Sequence, residues 1–505
     1  MSEWFSEKLN HFNDLSDVKT RQDLLIEIRL KFGSLTSNEA AVTTRNLDLS
    51  RLFSRLTSND DEDAMEQICE ALHIISQASP PGQILWRYTS EIHCLLHHKL
   101  ISAKTFALQE ISRAASDPES LPQLLSKLDL LVTVVETVTT EHLGTAQHAM
   151  EVLKKIGKNQ NGMKILYSGV LLRAIAKLLC QNDTIKFRAY EVVVDIAKNS
   201  KEHLQASIQS GFLQSLISML DVDDILLQLN VLEVLIELAL TKEGLEFLEE
   251  QGVLSNLVQK ISQAHETPLS NLLIPGLMKF FGNVAKFSPN EMFSKYPVVI
   301  SALFEVIQGE DQTILGVALD TLGYISSSVE GKYAVQNLGD SMPLAMKRIG
   351  NIIQTMPSDL RVRALNNLVQ IFNLDKSDHD NRILSLIKYW FDSLCEEPLK
   401  VLSSLCKQPF ADMRQASLEV LSVISSQMWA QEYMAKHPGL IEFLLDRNIE
   451  SFKECKEIKF QIVKNLTESV PNVFDSQTMQ RLQKFVTDGP FHVDSITEVA
   501  IEGAS

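Results

Sequence analysis

The middle of the chain repeats a three-helix pattern about every 42 residues, and this repeat restricts the possible folds more than any other feature. Three apolar segments share a glycine at the same place, Gly169, Gly211 and Gly252, with spacings of 42 and 41 residues. Each glycine separates two short helical patterns, as expected where a helix ends in the left-handed conformation that glycine adopts without strain. One such unit cannot bury its apolar face alone, so we predict that neighbouring units stack and share a continuous core.

A longer third helix follows in each unit, with apolar residues at positions i, i+3, i+4 and i+7. This spacing places them on one side of a 3.6-residue helix. The polar residues Thr321, Asn367 and Ser417 interrupt the later copies, and alternating segments typical of strands are short. The last apolar residue of each copy is called its anchor, and positions are counted from it. The anchors are Ile156, Ile196, Leu238, Val284, Ile325, Ile371 and Ile424.

The pattern weakens toward both ends, which sets the predicted domain boundaries. Residues 1–115 are predicted to form an irregular N-terminal helical cap, 116–452 the repeats, 453–485 C-terminal capping helices and 486–505 a tail. A unit of short helix, glycine, second helix, polar turn and long third helix resembles the armadillo repeat, and the uneven anchor spacing resembles HEAT repeats. We therefore expect an all-α fold, a right-handed α-solenoid of armadillo/HEAT-like repeats.

Composition excludes several classes of partner and location. Lysine and arginine number 47 against 64 aspartates and glutamates, so the net charge is −17, which disfavours nucleic acid or an anionic membrane as the main partner. The six cysteines are far apart, the N-terminus does not resemble a secretory signal, and the apolar runs are too short to span a bilayer. We expect a cytoplasmic protein, with the nucleus as an alternative, that is a monomer when free.

Function is expected on third-helix residues that point away from the shared core, along the concave surface of a solenoid. Positions −5 and −1 lie one turn apart on the same helical face. Position −5 is acidic in five of seven copies, so this face would attract a basic protein surface. The alternative is that these are ordinary solvated positions of an acidic protein. The predicted partner-binding residues are Glu151, Glu191, Asp195, Glu233, Glu237, Lys279, Asn283, Asp320 and Tyr324. Four neighbouring carboxylates among them form what we call the acidic cluster: Glu191, Asp195, Glu233 and Glu237.

Catalytic signals are weak. Gly331 and Lys332 resemble the end of a phosphate-binding loop, but the first glycine of that motif is missing. His93, His97 and His98 have a spacing that can place metal ligands on a helix, yet nothing nearby completes a site. We therefore expect no catalytic residues, no cofactor and no metal, and predict that the chain is not an enzyme.

Several segments together resemble the proteasome non-ATPase regulatory subunit 5 family. They occur in the family's order from about residue 160 onward, and the total length is similar. The resembling segments include residues 274–285 (IPGLMKFFGNVA), 316–324 (GVALDTLGY), 328–332 (SVEGK), 428–434 (MWAQEYM), 437–443 (HPGLIEF) and 488–493 (DGPFHV).

This resemblance implies a non-catalytic chaperone for assembly of the base of the proteasome regulatory particle. Members of the family bind the C-terminal small domain of one ATPase subunit and leave before the mature particle works. The partners implied are base ATPase subunits and the associated scaffold subunit, with the ATPase domain in the concave groove. The alternative is another armadillo-type adaptor, either a nuclear transport receptor or an exchange factor for a heat-shock chaperone.

Overall fold

The computed structural model describes residues 2–12, 18–56, 62–263, 270–470 and 473–492. Within these ranges the chain is helical with short turns and contains no strand, so the predicted all-α solenoid is confirmed. None of the described helices combines the length and apolarity needed to cross a bilayer. Most of the predicted tail, residues 493–505, lies outside the described residues.

The chain divides into two compact units, residues 1–250 and 251–505. This division falls inside the predicted repeat region, and the predicted domain boundaries stay predictions. In unit 1 four long helices pack in chain order, each on the next: α8 (Ile101–Ser116), α11 (Leu143–Lys158), α14 (Asp183–Ala197) and α17 (Ile225–Ala239). Its helices are α1 (Ser2–Phe12), α2 (Val18–Gly33), α3 (Ser37–Asn46), α4 (Ser50–Leu56), α5 (Glu62–Gln77), α6 (Gln83–Arg87), α7 (Thr89–Leu96), α8 (Ile101–Ser116), α9 (Leu121–Leu125), α10 (Leu128–Thr137), α11 (Leu143–Lys158), α12 (Gln160–Leu166), α13 (Gly169–Leu179), α14 (Asp183–Ala197), α15 (Lys201–Gln209), α16 (Phe212–Ser218), α17 (Ile225–Ala239) and α18 (Lys242–Glu250).

Unit 2 continues the same pattern with five long helices packed one on the next: α20 (Ile274–Phe287), α23 (Gln312–Ile325), α26 (Ser358–Phe372), α29 (Ala411–Ile424) and α32 (Lys453–Thr467). The side chain of Asp311 caps the N-terminus of α23, as Asn182 and Asp224 cap α14 and α17 in unit 1. The helices of unit 2 are α19 (Val253–Gln263), α20 (Ile274–Phe287), α21 (Pro289–Lys295), α22 (Pro297–Gln308), α23 (Gln312–Ile325), α24 (Val329–Gln336), α25 (Ser341–Thr355), α26 (Ser358–Phe372), α27 (Asn381–Asp392), α28 (Pro398–Leu405), α29 (Ala411–Ile424), α30 (Met428–Lys436), α31 (Leu440–Leu445), α32 (Lys453–Thr467) and α33 (Ser476–Asp488).

The predicted apolar face of the long helices is buried in every copy. All seven anchors are at most 2% exposed. The interrupting residues Thr321, Asn367 and Ser417 are buried as well, and the Ser417 hydroxyl donates to the carbonyl of Met413 at 2.7 Å. Burying a hydroxyl costs little free energy when it forms a hydrogen bond within its own helix, so the apolar pattern tolerates such a polar residue.

The glycines between the short helices adopt the predicted conformation. Gly169, Gly211 and Gly252 have φ values of +54°, +79° and +72°, which confirms the expectation of a left-handed residue there. Gly339 and Gly439, with φ of +69° and +71°, extend the same feature into later copies that the glycine comparison did not include.

A second set of glycines lies at position +6, where the next short helix touches the end of the long one. A Cβ on Gly162, Gly244 or Gly331 would lie 2.0, 2.1 or 1.9 Å from the carbonyl oxygen of that unit's own anchor. Only glycine allows so close a backbone contact. Gly331 of the apparent phosphate motif therefore has a packing role.

Lys332, the other residue of that motif, is completely buried. Its Nζ donates to the carbonyl oxygens of Ser326 at 2.7 Å and Ser327 at 3.4 Å, at the end of α23. Burial lowers the pKa of Lys332 to about 8, against the opposing influence of the Asp378 charge. The lysine thus caps a helix C-terminus, which leaves no amine directed at a phosphate.

Candidate protein-binding surface

In unit 1, α14 and α17 bring the acidic cluster together around a cavity of about 240 Å³. All four of its carboxylates contribute to the wall, whereas Glu151 on α11 is exposed outside it. Two lysines, which the sequence analysis did not select, also face this cavity. The lining residues are Lys154, Glu191, Val194, Asp195, Lys198, Glu233, Val234 and Glu237.

Lys198 links the two helices of the acidic cluster. Its Nζ lies 3.0 Å from Oδ1 of Asp195 on the same turn and 3.1 Å from Oε2 of Glu237 on α17. Burial disfavours the ammonium, but the hydrogen bonds and charges of Asp195 and Glu237 outweigh it and raise the pKa of Lys198. The lysine therefore stays charged and neutralises part of the cluster.

Carboxylates outnumber ammonium groups in the lining of this cavity. Burial raises the pKa of Glu191, although the charges of Lys154 and Arg188 act in the opposite direction. Oδ2 of Asp195 is buried without a hydrogen-bond partner. Four carboxylates and two ammonium groups line the wall, 2 − 4 = −2. A cationic group placed there would gain both charge and hydrogen-bond partners.

In unit 2, α20, α23 and α26 form a larger cavity of about 460 Å³, which we call the polar cavity. Its wall includes all four predicted partner-binding residues of this unit, Lys279, Asn283, Asp320 and Tyr324. Its lining differs from that of the acidic cluster because cations outnumber carboxylates. The lining residues are Lys279, Gly282, Asn283, Val317, Asp320, Thr321, Tyr324 and Arg363.

Asp320 is bonded on both carboxylate oxygens by α26. Arg363 donates to Oδ2 through Nε at 2.8 Å and also through Nη2, and the buried Asn367 donates to Oδ1 at 2.8 Å. The same amide of Asn367 donates to the Arg363 carbonyl at 2.8 Å. Asp320, a predicted partner-binding residue at the acidic position −5, thus already has partners for its charge within the chain.

Two glycines of α23 make these bonds possible. A Cβ at Gly316 would lie 2.4 Å from Nη1 of Arg363, and one at Gly323 would lie 2.3 Å from Oδ1 of Asn367. The missing side chains let the guanidinium and the amide lie against the surface of α23. The polar cavity therefore depends on glycine positions as well as on its charged residues.

One type of contact between neighbouring copies occurs in both units. Lys198 and Lys286 occupy position +2 of their copies, and each contacts the residue at position −1 of the next copy. For Lys198 this residue is Glu237, and for Lys286 it is Tyr324, whose ring centre lies 4.2 Å from Nζ. The lysines at +2 were a signal present in the sequence, which a comparison of only positions −5 and −1 could not find.

The histidines singled out by their spacing were compared with the metal-ligating side chains of the described residues. There, no group of three or more histidine, cysteine, aspartate or glutamate side chains could hold a metal ion. His93 shares a 2.8 Å hydrogen bond with the Thr133 hydroxyl, and Nδ1 of His98 accepts from the Leu100 amide at 3.0 Å. These two histidines thus make contacts within the fold.

Fold and surface define an all-α helical-repeat protein with polar cavities between its long helices, a construction typical of proteins that bind other proteins. The model of the family described as proteasome non-ATPase 26S subunit matches residues 1–505. The chain belongs to this family. The 26S proteasome non-ATPase regulatory subunit 5 of Homo sapiens is 31% identical over 497 residues, which cover 97% of this chain and 98% of the human protein.

Two further relatives carry the same name. The bovine protein is 30% identical over 494 residues, covering 97% of this chain and 96% of its own length. The Drosophila melanogaster protein is 29% identical over 403 residues, covering 77% of this chain and 79% of its own. All three relatives are named as regulatory subunits, and the similarity reaches the N-terminal region that the segment comparison did not include.

Proposed function

We propose that this chain is a non-catalytic chaperone in assembly of the proteasome regulatory-particle base. It binds the C-terminal small domain of an ATPase subunit through the exposed face of its long helices, holds it with the associated scaffold subunit, and leaves before the mature particle works. The observation that carries the proposal is similarity along 97% of the chain to a protein named 26S proteasome non-ATPase regulatory subunit 5. We place this activity in the cytoplasm.

The acidic cluster supports a partner of basic character. It keeps a charge of −2 after Lys154 and Lys198 are counted, in a chain whose net charge is −17. Charge complementarity of this kind speeds encounter and sets orientation, and contributes less to the final affinity.

Such a contact is compatible with release. Exposed ion pairs contribute little each, about 0 to 1 kcal/mol, because water and salt screen them. A partner held by several of them can exchange quickly when another subunit competes for the same surface. A chaperone needs this reversibility, and no covalent step is required.

Binding to purified ATPase small domains tests the proposal. The variant with Glu191→Lys, Glu233→Lys and Glu237→Lys reverses three charges on α14 and α17. We expect affinity for the cognate domain to fall about tenfold at low ionic strength, and the difference to shrink as salt screens the charges.

A matched control variant distinguishes the effect of where the charges lie from the effect of the net charge of the chain. Glu141→Lys, Glu246→Lys and Glu250→Lys change the charge by the same amount at exposed residues of unit 1 that are not on a long helix. This control should bind like the unaltered chain, and both variants should keep its helicity. If no base ATPase domain binds the unaltered chain, the proposed function is wrong; if the two variants bind alike, the acidic cluster is not the contact.

A further inference from the structure

A groove of about 540 Å³ lies between the short helices α9 and α12 of unit 1, and we call it the short-helix groove. None of the predicted partner-binding residues is among its lining residues. Most of its surface is apolar: Leu121 and Leu125 are buried, Ile165 is partly exposed, and the rings of Pro118 and Pro122 are exposed. Such a surface can take up apolar side chains of a ligand.

The wall formed by α9 is held against the preceding loop. The amide of Ser120 donates to Oδ2 of Asp117 at 2.9 Å, and its hydroxyl donates to the carbonyl of Pro81 at 3.1 Å. A Cβ on Gly82 would lie only 2.3 Å from that hydroxyl oxygen, so the loop and the helix are in close contact. The proline rings of this wall also have fixed backbone φ angles. This wall is therefore already formed before a ligand arrives.

The wall formed by α12 is fixed in a similar way. Oδ1 of Asn159 caps the helix and accepts from the amides of Asn161 at 2.9 Å and Gly162 at 3.2 Å. Gly162 also brings α12 into close contact with the carbonyl of Ile156, the anchor of that copy. Because both walls are held by the fold, little ordering is needed when a ligand binds, and less binding free energy is lost.

The polar groups of the groove have unused capacity for a ligand. Lys164 is exposed and is the only charged lining residue. Within the described part of the chain its ammonium forms no ion pair, and the side-chain amide of Asn161 forms no hydrogen bond. In that same part, Asn159 uses only Oδ1 and keeps Nδ2 as a donor. The groove thus offers one unpaired cation in a chain whose net charge is −17.

We propose that the short-helix groove binds an extended segment of a partner polypeptide that carries apolar side chains beside an acidic one. The apolar side chains contact the leucines and prolines of α9, and the carboxylate pairs with Lys164. An extended backbone has free N–H and C=O groups, which the side chains of Asn159 and Asn161 can bond. A helical segment uses these backbone groups itself.

Charge complementarity selects this segment over ligands of other chemistry. A basic segment would place like charges beside Lys164, and it would be attracted to the acidic cluster instead. A nucleic acid needs several phosphate contacts, and this groove provides one cation in a mostly apolar wall. The proposed ATPase contact uses the long helices, so either proposal can fail without the other.

Designed peptides with blocked ends test the inference on the full chain. The acidic peptide has three leucines alternating with serines, flanked on each side by two glutamates. In one matched peptide the glutamates are replaced by glutamines, and in another the leucines are replaced by serines. Fluorescence anisotropy of labelled peptides at low salt should show that the acidic peptide binds at least fivefold more tightly than either. If one of the matched peptides binds as tightly, the proposal is wrong.

Filling the groove locates the binding site. Ser126 lines the groove at the end of α9, and its hydroxyl donates to the carbonyl three residues earlier at 2.6 Å. Ser126→Trp places an indole in the groove and should weaken the acidic peptide at least fivefold. Ser218 is equally exposed at the end of α16 and makes the same type of hydrogen bond at 2.8 Å, so Ser218→Trp is the control. Equal affinity of the two variants overturns the proposal.

Reversing the charge tests the role of the lysine. Lys164→Glu should weaken the acidic peptide about fivefold and leave the glutamine peptide unchanged, whereas Lys177→Glu, at an exposed residue of α13, should change neither. Equal effects of the two substitutions would contradict the pairing with Lys164. Sedimentation of the full chain tests a second copy as the occupant. Self-association that Ser126→Trp abolishes would assign the groove to contacts between copies and overturn the proposal.

Discussion

The acidic cluster of unit 1 and the polar cavity of unit 2 are built from the same repeat positions but differ in what the next long helix places beside the carboxylate at position −5. Glu191 and Asp320 both occupy position −5. The next long helix presents Val234 at position −4 to the first cavity, whereas Asn367 at that position donates to Asp320 in the second. The position within the repeat sets the direction of a side chain. The residue at position −4 of the next long helix then determines whether the carboxylate forms a hydrogen bond within the chain.

The largest expected effect tests what the two units share. Gly244→Ala in unit 1 and Gly331→Ala in unit 2 each place a Cβ about 2 Å from an anchor carbonyl oxygen. Backbone cannot move away as a side chain could, so we expect each variant to lose about 2–4 kcal/mol of unfolding free energy. Chemical denaturation followed by circular dichroism measures this loss.

Gly33→Ala is the control for these glycines. A Cβ at Gly33 meets nothing within 4 Å, so this variant should differ from the unaltered chain by less than about 0.5 kcal/mol. A large loss in one unit and none in the other would show that the contact at position +6 is not a common feature of the repeat.

Asn367→Val makes unit 2 resemble unit 1 at position −4. The substitution removes both hydrogen bonds of the buried amide and leaves Asp320 with Arg363 alone. We expect a loss of about 1–3 kcal/mol in unfolding free energy, because buried polar partners are lost. Asn366→Val makes the same chemical change at the exposed neighbour on α26 and should be close to neutral. Equal stability of the two variants would mean that the network around Asp320 contributes nothing.

The sequence was sufficient for the parts of the fold that depend on periodicity. The anchors and the glycines at the short-helix junctions are predicted correctly, because burial follows from spacing along a single helix. The nine partner-binding residues are all partly or fully exposed, but their role as a contact surface stays a prediction. Arg363 was missed because its position depends on the space above Gly316 on another helix. No periodicity within one helix contains that information.

Lys332 gives a pH-dependent contrast inside unit 2. Gln431 lies at position +7 of its copy, as Lys332 does in its own. Nε2 of Gln431 donates to the carbonyl of Ser425 at 2.9 Å, just as Nζ of Lys332 donates to the carbonyl of Ser326. Lys332→Gln therefore substitutes a donor that the chain already uses. We expect it to fold normally and to differ from the unaltered chain chiefly in how stability depends on pH.

The direction follows from the lowered pKa. The folded chain holds the pKa of Lys332 at about 8, below the ordinary value of 10.5, so between these values the unfolded chain binds more protons. Stability of the unaltered chain should rise relative to Lys332→Gln as pH increases from 8 to 10, by about 1–2 kcal/mol. Parallel curves of unfolding free energy against pH for the two proteins would contradict this.

The smallest effect belongs to unit 1. Lys198→Met removes the link between Asp195 and Glu237 and one of the two lysines that line the cavity, so the formal charge of the lining changes from −2 to −3. Because Lys198 is one-third exposed, we expect a loss below about 1 kcal/mol at low ionic strength that nearly disappears in high salt. Lys158→Met, at the same repeat position in the preceding copy, is the control. A loss of stability that persists in high salt would mean that Lys198 acts through packing of its aliphatic chain. The two cavities would then differ in shape and not in charge.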